Sequence, residues 1–248
     1  MDLLFSSEYN KRGLGPEAQR RLVLLRNLVL SAGFNVTAVK DPAEVEKVHF
    51  LDSLSVLDLK PVAGARSLVD VGSGAGFPAL VLAIALPEMQ VVAVEARGKK
   101  CEFIEKAASA LGLDNLSVQW ARAEEYGQGG GREKYDIAVS RALASLPVVA
   151  ELSLPLVRVG GHMVAMKGAI SNQERTQAAK AIAILGGGRL EAMHVKPFPD
   201  ALHHWIYVAE KERETPAVYP RRAGIPAKRP LGSAKASLIR SCEGEPRA

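Results

Sequence analysis

The sequence predicts an α/β protein built on a mostly parallel, seven-stranded, Rossmann-like sheet. Two observations support this prediction. Between residues 66 and 212, strand-like segments alternate with helix-like segments through short connections, a pattern typical of a parallel sheet covered by helices on both faces. In addition, the first strand runs directly into three alternate glycines, Gly72, Gly74 and Gly76. A glycine turn between a strand and a helix is a common ligand-binding arrangement in such folds.

Hydrophobic patterning places the individual elements of this core. The predicted strands span residues 67–71, 90–95, 116–120, 135–140, 162–167, 190–195 and 204–210. The predicted helices span residues 78–86, 98–111, 145–158 and 171–185. Because no clear helix separates the last two strands, we expect an antiparallel pair at one edge of the sheet.

Helices precede this core and a basic segment follows it. Residues 1–13 are expected to be irregular. A helix is expected to begin at Pro16 and to carry on its solvated face Arg20, Arg21 and Arg26. Asp41 is expected to cap a second helix through a capping box with Glu44. The predicted organisation is an N-terminal helical extension packed on the core (1–60), a ligand-binding core (61–212) and a basic, proline-containing tail (213–248).

The composition is that of a soluble globular protein. The chain has 248 residues, of which 48% are apolar and 24% charged. No apolar run approaches the roughly 18 residues that a membrane span needs, and the start lacks the features of a signal peptide. The two cysteines, Cys101 and Cys242, form neither a disulfide framework nor a metal-binding spacing. We expect a cytoplasmic protein that is a monomer, with no metal ion and no membrane partner.

The tail has the composition of a segment that contacts nucleic acid. From Pro216 to Cys242 it contains four prolines, no Asp or Glu, and six basic residues, Arg221, Arg222, Lys228, Arg229, Lys235 and Arg240. Such a segment is not expected to bury a core, and it can lie along a phosphate backbone. The net charge of +5 agrees with a polyanionic partner. A disordered, solubilising tail is the alternative.

Polar residues collect where the predicted strands end. The carboxyl ends of parallel strands meet at one edge of the sheet, where ligands bind. Glu95 ends the second strand about 20 residues after the glycines, where its carboxylate can accept hydrogen bonds from ribose hydroxyls. Ala123 and Glu124 follow the third strand, Arg141 the fourth and Lys167 the fifth. This arrangement predicts a nucleoside-binding site with two basic residues on its far side.

The spacing of the glycines separates two classes of enzyme. Dinucleotide enzymes prefer Gly-x-Gly-x-x-Gly, whereas this chain has Gly-x-Gly-x-Gly with Asp70 two residues before the first glycine. That form is typical of methyltransferases that use S-adenosylmethionine (SAM), where an acid near the turn suits the amino group of the methionine. The spacing therefore favours a class I SAM-dependent methyltransferase. A nicotinamide or flavin oxidoreductase and an ordinary glycine-rich turn are the alternatives.

His49, Asp52 and Ser53 lie three and four residues apart on the second predicted helix, so they share one face. A local hydrogen bond is the ordinary explanation of such a pair, and a functional role is the alternative.

Six segments, in order along nearly the entire chain, resemble the RsmG (GidB) family. They are residues 34–42, 49–53, 69–78, 140–142, 166–168 and 219–230. The resemblance implies a bacterial, cytoplasmic enzyme that uses SAM to methylate ring nitrogen 7 of one guanine in 16S ribosomal RNA. It also implies that the substrate is that RNA, the small ribosomal subunit or an assembly intermediate, and that loss of the protein is associated with streptomycin resistance. A non-catalytic RNA-binding assembly protein is a further alternative.

The resemblance also implies roles for individual residues. It places SAM contacts at Gly72, Phe77, Glu95, Ala96, Arg97, Ala123, Glu124 and Arg141. The glycine turn adds Asp70, Ser73 and Gly74 to this cofactor set. Phe77 stands where other members often carry Leu or Ile, so it is expected to pack against the cofactor. RNA contacts are expected at His49, Asp52, Arg221, Arg222 and Lys228.

Arg141 and Lys167 are the candidate catalytic residues. Ring nitrogen 7 of guanine carries a lone pair and no proton, so the transfer needs no general base, and the main task of the protein is positioning. Arg or Lys suits the guanine edge that carries nitrogen 7 and the carbonyl oxygen. We expect Arg141 or Lys167 to donate to that oxygen. A phosphate contact by either residue, or a contact of Arg141 with the SAM carboxylate, is the alternative.

Overall fold

The computed structural model describes residues 3–33 and 36–233. Five residues used in the sequence arguments lie outside the described residues: Phe34, Asn35, Lys235, Arg240 and Cys242. Within the described ranges, no helix combines the length and the apolar character that crossing a membrane requires.

Among the described residues, seven strands form one mixed sheet in the order β3-β2-β1-β4-β5-β7-β6. They are Ser67–Val71 (β1), Gln90–Glu95 (β2), Leu116–Trp120 (β3), Tyr135–Arg141 (β4), Val157–Lys167 (β5), Glu191–Val195 (β6) and His204–Glu210 (β7). The first five strands pair in parallel, whereas β7 pairs antiparallel with both β5 and β6. The predicted parallel sheet with an antiparallel edge pair is confirmed.

The α-helices of the described chain flank this sheet. They are Ser6–Lys11 (α1), Pro16–Ser31 (α2), Pro42–Val45 (α3), Asp52–Leu54 (α4), Lys60–Ala63 (α5), Ala79–Ala85 (α6), Gly98–Leu111 (α7), Ala123–Gln128 (α8), Leu146–Ser153 (α9), Asn172–Ile184 (α10) and Ile225–Lys228 (α11). Helices α2, α4, α6 and α7 share one hydrophobic core with the sheet, and α9 and α10 pack on the other face. Both faces of the parallel part are thus covered, as its nearly continuous apolar strands require.

Residues 42–58 form one continuous helical rod. Asp41 Oδ1 accepts a hydrogen bond from the Glu44 main-chain N–H at 3.0 Å, so the predicted cap is confirmed. The rod contains a π-helical segment, Glu46–Leu51, between α3 and α4, and it ends in a 3-10 turn, Ser55–Asp58. Segments of π-helix are rare and occur frequently at functional sites.

Three local predictions are wrong. Residues 6–11 form helix α1 rather than irregular chain. The helix predicted at 145–158 ends at Ser153, because Pro155 follows in a 3-10 turn, and β5 therefore begins at Val157. Arg26 does not lie on a solvated face: its side chain is buried and forms an ion pair with Glu46.

The buried Glu46 carboxylate ties the N-terminus to the rod. Besides Arg26, it accepts hydrogen bonds from the main-chain N–H of Leu4 at 3.0 Å and from the Tyr9 hydroxyl at 3.3 Å. A carboxylate with this many donors is stable without water. These bonds hold the helices of the N-terminal extension together.

The described part of the tail also packs on the core, contrary to the expectation that it buries none. Tyr219 and Leu231 are buried in the cluster formed by α9, α10 and β7. The Arg221 guanidinium donates to both carboxylate oxygens of Glu151, at 2.8 and 2.5 Å, and Glu151 is completely buried. The composition of the tail does not predict this packing, because a few buried apolar side chains and one buried ion pair are enough to order a short segment.

Candidate active site

A cavity of about 700 Å³ opens at the carboxyl ends of the parallel strands, within the usual size range for small-ligand sites. The residues of the predicted cofactor set that line it are Gly72, Gly74, Glu95, Ala96, Arg97, Ala123, Glu124 and Arg141. These residues come from four separate strand ends, which the parallel topology brings together. The predicted convergence at this edge of the sheet is therefore confirmed, while the ligand contacts themselves stay a prediction.

The glycine turn forms one wall of the cavity. Gly72 and Gly74 have positive φ values, 74° and 59°, which glycine adopts without a steric penalty. A Cβ on Gly72 would lie 2.5 Å from Leu143 Cδ1, a contact that real structures do not contain. Glycine at this position lets the apolar side chain of Leu143 pack directly on the turn.

Asp70, Ser73 and Phe77 do not line the cavity. Asp70 is completely buried, and its Oδ2 accepts a hydrogen bond from the Ala79 main-chain N–H at 3.1 Å. Ser73 Oγ donates to the Asp70 carbonyl oxygen at 3.0 Å. Asp70 thus holds the turn against the start of α6 and does not lie where it could meet the amino group of a bound methionine, as the glycine spacing suggested. Burial raises its pKa to about 7.

Glu95 is a buried carboxylate at the cavity wall. Its Oε2 accepts from the Gly74 main-chain N–H and its Oε1 from that of Arg97, both at 2.9 Å. These bonds orient the carboxylate, and an ionised carboxylate has about four acceptor sites. Two acceptor sites therefore remain for ligand hydroxyl groups.

Two residues of the tail, Gly224 and Ala227, complete the wall of this cavity. The Gly224 main-chain N–H donates to Glu124 Oε1 at 2.9 Å, and Gln128 donates to the Pro220 carbonyl oxygen at 2.6 Å. This part of the site was not predicted from the sequence, because the tail lies about 100 residues along the chain from its contacts in α8. Gly224 adopts φ 80°, a left-handed conformation that favours glycine. Its presence in the sequence was therefore a local indication of a turn in the tail.

Arg141 and Ala142 lie between this cavity and a second cleft, and they line both. The Arg141 guanidinium donates to the Val48 carbonyl oxygen and, at 3.1 Å, to His49 Nδ1. Its Nη1 lies 3.5 Å from Asp52 Oδ2.

Ala142 has φ 47°, a left-handed conformation that costs a residue with a side chain roughly 1–2 kcal/mol. Such strain is concentrated at functional sites.

His49 holds Arg141 in place as a neutral imidazole. Because its Nδ1 accepts from Arg141, its Nε2 carries the proton and donates to Thr37 Oγ1 at 2.8 Å. The ring also stacks on Phe77, with centroids 4.6 Å apart. Burial, reinforced by the neighbouring guanidinium, lowers the pKa of His49 to about 4. The hydrogen bonds of His49 and Asp52 extend to β4, so they are more than a local pair on one helix.

The lowered pKa of His49 predicts a pH-dependent stability. Since the ordinary value is 6.5, the unfolded chain binds more protons than the folded chain between about pH 4 and 6.5. The stabilisation linked to His49 is complete above this window and is lost as the pH falls through it. We expect the difference in unfolding free energy between the wild type and His49→Gln to grow with pH, by at most about 3 kcal/mol, and then to level off.

Urea unfolding of both proteins from about pH 4 to about pH 8 measures this difference. The raised pKa of Asp70 makes the unfolding free energy change with pH in the opposite direction. This contribution is the same in both proteins, so it cancels in the difference between them. A difference that does not change with pH would contradict the assignment of His49 as a buried, neutral ring.

The second cleft, of about 190 Å³, lies on the far side of Arg141. Its walls include Asp52, Lys167, His204 and Trp205. Lys167 Nζ donates to the Ala144 carbonyl oxygen at 2.6 Å and does not line the larger cavity. Burial raises the pKa of Asp52, whereas Arg141 and His204 oppose that shift. His204 and Trp205 were not predicted as site residues. They begin β7, which pairs with β5 and sets Trp205 opposite Lys167.

The remaining predicted RNA residues lie on the tail. Arg222 and Lys228 are exposed and lie one or two residues along the chain from Ala227 and Gly224, which line the larger cavity; this exposed segment is called the cavity rim. Arg221 is different, because its guanidinium is engaged with Glu151 and with the Arg229 carbonyl oxygen. The RNA contact predicted for Arg221 is therefore not supported by its position.

The strand order, the glycine turn and the cavity at the carboxyl ends define a class I SAM-dependent methyltransferase fold. The S-adenosylmethionine-dependent methyltransferase SibL in its apo form has the same fold, with a TM-score of 0.54 and 14% identity over 83% of this chain and 72% of that chain. An O-methyltransferase family protein from Burkholderia thailandensis has a TM-score of 0.51 and 12% identity, covering 79% and 71% of the two chains.

The chain belongs to the rRNA small subunit methyltransferase G (GidB) family, whose model matches residues 19–199. Its relatives include Ribosomal RNA small subunit methyltransferase G from Rubrobacter xylanophilus, 40% identical over 92% of this chain and 90% of the relative. The protein of the same name from Pelotomaculum thermopropionicum is 44% identical over 85% and 87% of the two chains. The resemblance drawn from the six segments is confirmed.

Proposed function

We propose that this chain transfers a methyl group from SAM to ring nitrogen 7 of a guanine in 16S ribosomal RNA, in the bacterial cytoplasm. The observation that carries the proposal is the junction of two cavities at Arg141 and Ala142. Methyl transfer needs a donor and an acceptor held at near-attack distance, and two cavities with a shared wall offer that arrangement. The names of the relatives support small-subunit ribosomal RNA as the source of the acceptor.

The residues of the larger cavity fit SAM. The two free acceptor sites of Glu95 suit the ribose hydroxyls, and the apolar side chains of Leu143, Val148 and Leu152 suit the adenine ring. Ala123 and Glu124 lie where they can meet the adenine edge. When bound, SAM supplies an electrophilic methyl group on a sulfonium centre. The Gly-x-Gly-x-Gly spacing of the turn differs from the Gly-x-Gly-x-x-Gly of dinucleotide enzymes, which favours methyl transfer over hydride transfer.

The residues of the chain act by positioning and by hydrogen bonding. Nitrogen 7 of guanine has a free lone pair, so no residue has to remove a proton from it. Arg141 lies between the cavities, where a donated hydrogen bond to the guanine carbonyl oxygen would fix the ring and leave nitrogen 7 free. Lys167 lines the second cleft and not the larger cavity. It should therefore contact the acceptor nucleotide rather than SAM, either at the guanine carbonyl oxygen or at a phosphate.

The exposed basic residues at the cavity rim should bind the RNA backbone. We expect the double variant Arg222→Ala with Lys228→Ala to bind 16S RNA more weakly while SAM binding is unchanged. If both residues neutralise phosphates, the slope of log K against log salt should become less steep by about 1.4. Filter binding at several salt concentrations measures this slope.

The matched control removes two exposed basic residues at the opposite end of the sheet, Arg66→Ala with Lys134→Ala. It should leave the slope unchanged. An identical effect of both double variants would show that net charge, and not this rim, determines the RNA affinity.

Mapping of methylated nucleotides tests the proposed reaction. Ribosomal RNA from cells with and without this protein should differ by one N7-methylguanosine in 16S RNA, and the purified protein with labelled SAM should restore it. Cells without the protein are expected to resist streptomycin. Binding of NAD in place of SAM would favour an oxidoreductase. Tight RNA binding with no transferred label would favour a non-catalytic assembly protein.

A further inference from the structure

The second cleft carries a donor and an acceptor side by side. The Arg141 guanidinium is a group of donors, and it lies beside the Asp52 carboxylate, an acceptor, with Nη1 3.5 Å from Oδ2; both residues line the cleft. Lys167 adds a second donor to the same walls. A ligand that fits must therefore present an acceptor next to a donor along one edge.

The size and the walls of the cleft suit a flat ring. Its volume of about 190 Å³, the space of roughly six water molecules, leaves room for a ring the size of a nucleic-acid base. Trp205 and His204 contribute aromatic surface, and aromatic side chains are the usual stacking partners of bases taken out of a nucleic acid. His204 Nδ1 is buried and has no hydrogen-bond partner among the described residues.

Guanine matches this pattern of polar groups. Along one edge it carries the carbonyl oxygen, an acceptor, followed by the N1–H and the N2 amino group, both donors. The carbonyl oxygen opposite Arg141 would place the N1–H and the N2 amino group next to Asp52, and nitrogen 7 on the other side of that oxygen. Adenine has a donor in place of the carbonyl oxygen, so it would direct an amino group at the guanidinium.

We propose that the second cleft receives the target guanine and that Asp52 determines specificity by accepting hydrogen bonds from its N1–H and N2 amino group. This inference rests on the proposed function. Asp52 also contacts Arg141 and lies 3.8 Å from His204 Nε2, so a purely structural role is the competing explanation. The two explanations differ in whether Asp52 accepts a hydrogen bond from the N2 amino group of the base.

Inosine separates these explanations, because it lacks only the N2 amino group of guanosine. Small subunits reconstituted with guanosine or inosine at the target position are the substrates, and kcat/KM is measured for each. A hydrogen bond to a charged acceptor contributes about 1.5–3 kcal/mol, so the wild type should prefer guanosine by roughly 10-fold to 100-fold. In Asp52→Ala this preference should fall to about one, and in Asp52→Asn it should be clearly reduced, with the dissociation constant of SAM unchanged in both.

Asp58→Asn is the matched control, since Asp58 is exposed near the end of the same helical rod. This variant should keep the wild-type preference. An unchanged guanosine preference in Asp52→Ala, or a wild type that methylates both bases equally at nitrogen 7, overturns the role of Asp52 and leaves the proposed function intact. A wild type that transfers no methyl group to either substrate overturns the proposed function as well.

Discussion

Replacing Arg221 with alanine is expected to lower the free energy of unfolding by about 3 kcal/mol. The reason is that Glu151 is completely buried and the Arg221 side chain is its charged partner. Removing the guanidinium leaves a buried carboxylate without a counter-charge, which is far more costly than losing a surface ion pair. Urea unfolding of the purified variant measures this loss.

The same substitution should also weaken SAM binding, by roughly tenfold. Arg221 anchors the segment that brings Gly224 and Ala227 to the cavity wall, and Gly224 in turn holds Glu124. Isothermal titration with SAM gives the dissociation constant. Arg222→Ala is the matched control, because Arg222 is exposed at the adjacent position, and it should change neither quantity. Equal and small effects of both substitutions would contradict the anchoring role of Arg221.

Replacing Arg141 with alanine should reduce the rate of methyl transfer by about 100-fold, the loss found when one preorganised donor is removed from an active site. Arg141 is held by the Val48 carbonyl oxygen, His49 and Asp52, and it lines both cavities. It is thus fixed before the substrate binds. Arg141→Lys should recover only part of the rate, since an ammonium group cannot reproduce the planar guanidinium.

Single-turnover methylation of small subunits measures this rate, and titration with SAM separates the loss of transfer from the loss of cofactor binding. Arg158→Ala serves as the control, because it removes an exposed arginine paired with Asp136 at the other end of β5. Full methyl transfer by Arg141→Ala with unchanged SAM affinity would refute the role of Arg141 in the site.

Predictions from the sequence succeed where the determining physics is local. β1, β2, β3 and β7 have their predicted bounds, because each is a short apolar or alternating segment. Glu95, Glu124 and Arg141 line one cavity, because parallel strands place their carboxyl ends at one edge. Lys167 lies at the same edge but lines only the second cleft. Asp70 was assigned to the cofactor from the sequence, and only the fold shows its carboxylate bound to the start of α6 instead.

The sequence by itself therefore determined the fold class, the glycine turn and the strand ends that carry the site. Only the tertiary structure decided that Arg221 pairs with Glu151, that Arg26 is buried against Glu46, and that Asp52 and Arg141 meet beside Trp205. The physical reason is distance along the chain. Hydrophobic periodicity and turn chemistry act between near neighbours, whereas each of these contacts joins segments 20 or more residues apart and forms only when their elements pack.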